Sequence, residues 1–120
     1  MQEDKRNTEP NLAIGNPSNS DNVRIFLDGS RRSEVTLRSA IIGFGTYHAG
    51  WKWSLHAGPQ TGKPSGNHIG YILSGRMIVR DSAGIEREVC SGQAFEVGPG
   101  SDAWVIGNES CTALDFINVG

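Results

Sequence analysis

Apolar residues in this chain arrive in short runs, several of them alternating with polar ones, and the runs are closed by Gly, Pro, Asn, Asp or Ser. A period of two marks a strand with one face turned inward. The runs predict strands over residues 23–27, 34–37, 40–47, 51–56, 68–73, 76–81, 85–90, 94–97, 103–106 and 112–119. Turn formers separate them, among them Asp28-Gly29-Ser30, Ala49-Gly50, Ser74-Gly75, Ser91-Gly92, and the glycine-rich stretches 58–66 and 98–101. No stretch carries a helical apolar stripe over ~11 residues. Short strands joined by tight turns predict an all-β, antiparallel sandwich or barrel in a single domain. Residues 1–22 stand apart. They are polar, with Pro10 and Pro17, and apolar only at Leu12, Ala13 and Ile14, so they read as an arm outside a barrel that spans 23–120.

Alternation also assigns faces. Met77 and Val79 oppose Arg76, Ile78 and Arg80, which gives one apolar face and one mixed face. In 68–73, His68, Gly70 and Ile72 share one face, and Ile69, Tyr71 and Leu73 share the other. Both faces are apolar, which predicts a strand buried on both sides. In 51–56, Trp51, Trp53 and Leu55 oppose Lys52, Ser54 and His56. If His56 points into the barrel, the tryptophans point out and make an apolar patch that a second subunit covers. If the tryptophans fill the core, His56 is solvated. The first branch leads to a homodimer with the tryptophan face or the arm in the contact.

Composition narrows the function. A chain of 120 residues supports one hydrophobic core. A net charge of −2 offers nothing to nucleic acid or an anionic membrane. Arg31-Arg32 is too short for a basic patch and reads as decoration on a solvated turn. No apolar run approaches the ~20 residues of a membrane span, and the polar start Met1-Gln2-Glu3-Asp4 lacks a secretory h-region, so the expected setting is cytoplasmic and reducing. Cys90 and Cys111 are then free thiols in small apolar roles. The 58–66 stretch is not a phosphate loop, because Pro64 takes the Ser/Thr place and no helix is predicted to follow. No GxSxG elbow is present.

Two segments carry a family likeness. The first is Asn67-His68-Ile69-Gly70-Tyr71-Ile72-Leu73-Ser74-Gly75-Arg76-Met77, with His68 seven positions before Gly75. The second is Gly92-Gln93-Ala94-Phe95-Glu96-Val97-Gly98-Pro99-Gly100. Together they resemble the two signature segments of the cupin superfamily, and the resemblance implies a jelly-roll β-barrel. Cupin ligands are histidines and a glutamate that hold a divalent metal. Here Gly50 leads through five residues to His56 at the first histidine position, Gly58 falls at the second, and His68 falls at the glutamate position. The turn Pro99-Gly100-Ser101-Asp102-Ala103-Trp104 is similar to a Pro-Gly-His-Asp-Ala-Trp turn in some cupin-like proteins, with Ser101 in place of the ligand and Ala103 at the usual histidine position.

By this likeness the ligand-binding residues are His56, His68, Tyr71, Met77 and Trp104. A metal (Zn, Ni, Fe or Mn) would fall to His56, His68 and Asp102, with Glu96 or His48 as additions. A catalytic transition metal takes three protein ligands and a water. The short ligand count tilts the reading toward a protein that binds a small organic molecule, with metal weak or absent. The other reading is a metal-dependent enzyme, of the oxygenase or isomerase type, acting on a small organic acid or aromatic.

Overall fold

A computed structural model describes residues 11–119. A 3-10 turn, Pro17–Asn19, precedes β1 (Asn22–Ile25), β2 (Arg31–Thr36) and β3 (Ala40–Tyr47). Two single-turn helices follow, α1 (Trp53–His56) and α2 (Gly58–Thr61). Then come β4 (His68–Ser74), β5 (Arg76–Arg80), β6 (Glu86–Cys90), β7 (Ala94–Val97), β8 (Asp102–Val105) and β9 (Cys111–Asn118). One sheet has the order β1-β2-β3-β9-β4-β7, and the other has the order β6-β5-β8. The strand pairs within both sheets are antiparallel. The architecture is the expected antiparallel jelly roll. Among the described residues no helix is long and apolar enough to cross a membrane.

The segment 51–56 departs from expectation. Its alternation imitates a strand, yet only Lys52 pairs, in an isolated bridge to Trp104. Gly50, at φ 87°, turns the chain. The Lys52 N–H then donates to Nδ1 of His56, and Ser54 N–H donates to Oδ1 of Asp102. These partners satisfy the backbone locally, so no ladder is needed. With the strand goes the parity choice. Trp51 is buried in an aromatic cluster, its ring 5.7 Å from Phe26 and 4.4 Å from Tyr47, and Trp53 packs against the same core. The tryptophans are therefore inside, and the outward tryptophan face drawn as a dimer contact does not exist.

The apolar surface lies elsewhere. β4 is buried on one face only: Gly70 and Ile72 point inward, while Ile69, Tyr71 and Leu73 are exposed. The arm is partly in view. Gly15 lies against Val35, and the Ser33 hydroxyl donates to the Pro17 carbonyl, so this stretch covers the outer face of β2. Leu12 and Ile14 are exposed. Residues 1–10, the rest of the proposed arm, lie outside the described residues.

Candidate functional site

The space between the two sheets holds a cavity of about 380 Å³. Phe26, Tyr47, Trp51, Trp53 and Phe95 supply an aromatic wall. Met77 and Val79 face them from β5, where the alternation of the sequence had placed them. The loop 61–66 borders the cavity, with Thr61, Lys63 and Pro64 exposed, so this side is its opening.

The wall formed by the larger sheet is charged. Glu34 pairs with Gly43, Gly43 with Asp115, Asp115 with Gly70, and Gly70 with Phe95, so these residues form one row across five strands. Two of them are glycines because side chains lie over them, Arg32 from the next row over Gly43 and Phe95 from the same row over Gly70. A Cβ at Gly43 would sit 2.3 Å from Nη2 of Arg32, and one at Gly70 would sit 2.6 Å from the Phe95 ring. Over Gly43, Arg32 donates from Nε to Oδ2 of Asp115 at 2.7 Å and from Nη2 to Oδ1 at 2.6 Å. Its Nη1 donates to Glu34. The bond to Asp115 is the main reason the guanidinium is held above its already high range. Arg32 is thus an interior residue and not the turn decoration its dipeptide suggested. A single acid inside the apolar run Ala113-Leu114-Asp115-Phe116-Ile117 was the available signal, since an inward carboxylate needs a cation.

His68 lines the cavity from the start of β4, and its imidazole makes no hydrogen bond to a described residue. Burial pushes its imidazole below the ordinary histidine range; nearby Asp115 offsets part of that, and Arg32 adds to it. The sign follows from proton counting. Between the lowered folded pKa and the ordinary value near 6.5, the unfolded chain binds more protons, so stability rises with pH through that window and levels off above it. Denaturant melts at stepped pH should show this slope, and His68→Asn should flatten it. An unchanged slope in His68→Asn would remove the imidazole as its source.

The other expected site residues divide. Met77 and Asp102 line the cavity; His56, Tyr71 and Trp104 do not. The His56 ring is turned back onto its own helix, where Nδ1 is committed to the Lys52 N–H. Tyr71 has the opposite parity to His68 and is exposed on the outer sheet face. Trp104 alternates out of the core from Ala103 and Val105, and Lys52 Nζ sits 4.7 Å from its ring centroid. Glu96 is exposed, and it and His48 lie off the cavity. Ser101 does reach the cavity, but as half of a buried pair: Ser65 Oγ donates to the Ser101 carbonyl at 2.7 Å and lies 3.0 Å from its Oγ.

These positions do not fit a metal. The two imidazoles do not converge. Asp102 Oδ1 already accepts from the N–H groups of Ser54 and Ala103. Among the described residues no group of three or more His, Cys, Asp or Glu side chains is arranged to hold an ion. The thiols are also quiet: burial pushes Cys111 up to about 11, and Cys90 donates to Glu88, which raises it.

No family model matches the sequence, and no curated protein matches it. Solved structures do match in shape. KdgF from Halomonas is 18% identical with a TM-score of 0.58, over 78% of this chain and 81% of that one. The Cnp3 cupin domain of Schizosaccharomyces pombe is 18% identical at 0.59, over 79% and 68%. A sugar phosphate isomerase of the cupin superfamily from Silicibacter pomeroyi is 14% identical at 0.60, over 78% and 68%. The fold is cupin-like, and structures of that shape include enzymes.

Proposed function

We propose that this cupin-like chain binds a small organic molecule in the cavity between its sheets. The observation that carries the reading is the combination of an aromatic-walled space of about 380 Å³ with an imidazole, His68, that has no described protein partner. Ligand pockets are mostly apolar and contain a few polar groups that fix orientation. The indole N–H of Trp51, in the same wall, is buried without an acceptor among the described residues. Buried donors normally have a partner, whether protein, water or ligand. Among the described residues the metal-dependent alternative has no assembled ligand set, so we assign His68 to ligand contact and not to metal.

Trp51 and Trp53 make occupancy readable by intrinsic fluorescence. A library of small organic compounds is expected to yield binders that shift it. Ala103 lines the cavity opposite Val79 on β5, and Ala103→Phe puts a ring into the space. That change should weaken such binders by about fivefold or more, given overpacking costs of about 1–3 kcal/mol. Binders that titrate wild type and Ala103→Phe alike would place the site elsewhere.

A further inference from the structure

We infer that the cavity takes an organic acid, a carboxylate on an apolar body, with its charge toward Arg24 and Lys63 and its body against the aromatic wall; this rests on the cavity being the binding site. The reason is which charges around the cavity are already matched. Two lining residues are acids, and both are occupied. Both oxygens of Asp115 accept from Arg32. Asp102 accepts two backbone N–H groups on Oδ1, and its Oδ2 lies 4.0 Å from Lys52 Nζ. Three lining residues are permanent cations, and Arg32 is already committed to Asp115 and Glu34.

Arg24 and Lys63 are left. Neither makes an ion pair with a described residue, and both are exposed where the cavity opens. Arg24 stands directly across β1 and β2 from Arg32, a like-charge pairing that disfavours the fold without helping it. Its guanidinium lies over the Phe26 ring, 5.5 Å from carbon to centroid, and that ring is itself part of the cavity wall. Among the described lining residues a cationic ligand would find no uncommitted carboxylate, whereas an anion finds two cations without an ion-pair partner at the mouth, next to apolar walls for its body. The apolar lining of the rest of the space asks for a body without further charge.

Three probes with one body separate the possibilities: 3-phenylpropanoate, 3-phenylpropanamide and 3-phenylpropylamine, titrated by tryptophan fluorescence. The expected order of affinity is acid, then amide, then amine, with added salt weakening the acid alone. In Arg24→Gln/Lys63→Gln the acid should lose about tenfold, as charge-assisted contacts are lost, and the amide should not change. Both positions are exposed, so the melting temperature of the double variant should stay close to that of wild type. An amide that binds as well as the acid, or an acid advantage that survives the double variant, overturns the inference and leaves the binding site standing. Failure of all three at millimolar concentration, together with a library that yields no binder sensitive to Ala103→Phe, overturns both.

Discussion

Gly75→Ala is expected to destabilise the protein by about 2–5 kcal/mol, the sum of about 1–2 for a left-handed non-glycine residue and about 1–3 for overpacking. Gly75 has φ 81° and joins β4 in the larger sheet to β5 in the smaller one. A Cβ there would meet the Ser110 carbonyl oxygen at 2.7 Å and Cα of Cys111 at 2.8 Å. Both are backbone atoms and cannot swing aside, and Cys111 begins β9, which lies between β3 and β4. Gly92→Ala is the control. Gly92 has a similar φ of 85° but nothing within 4 Å of the added carbon, so it should lose only the conformational part, about 1–2 kcal/mol. Urea melts of both variants give the difference. Equal losses would show that the corner does not press on the start of β9.

That corner was legible beforehand, and so were the two strands whose bounds match in full, 40–47 and 94–97. Each is an apolar-rich run closed by residues that favour a turn, so local chemistry and tertiary structure agree. The segment 51–56 was misread because Trp-Lys-Trp-Ser-Leu-His alternates as a strand does. What decides its shape is the His56 ring folding back on Lys52, together with Asp102, which is 48 residues from Ser54 in sequence. Periodicity carries no information about either.

The site was legible in part, for a related reason. That His68 and Met77 line the cavity could be read because a register to a glycine corner and a clean alternation are local signals. Tyr71 was placed with His68 although the two have opposite parity; with both faces of β4 apolar, hydrophobicity alone could not say which one faced inward. The Arg32–Asp115 pair spans 83 positions, and no local pattern links its members. Beside the lone acid in its apolar run, Gly43 hints at it, as a gap in an inward row that something larger must fill.

Arg32→Met should be strongly damaging while leaving the backbone conformation alone. It removes the cation between Glu34 and Asp115, which flank Gly43 on the same inward row. Loss of one member of a fully buried ion pair costs about 3–5 kcal/mol. Here the paired side chains keep 17–20% of their exposure, so water screens part of the loss and about 2–4 kcal/mol is expected. Arg32→Lys keeps the charge but not the fork that serves both acids, and should fall between wild type and Arg32→Met. The triple variant Arg32→Met/Glu34→Gln/Asp115→Asn carries no charge in this network and should regain about 1–2 kcal/mol over Arg32→Met, because what harms the single variant is carboxylates left inward without a partner. Denaturant unfolding at neutral pH ranks all four proteins. A loss below about 1 kcal/mol for Arg32→Met would mean that water reaches this wall freely and that the network is a surface ion pair.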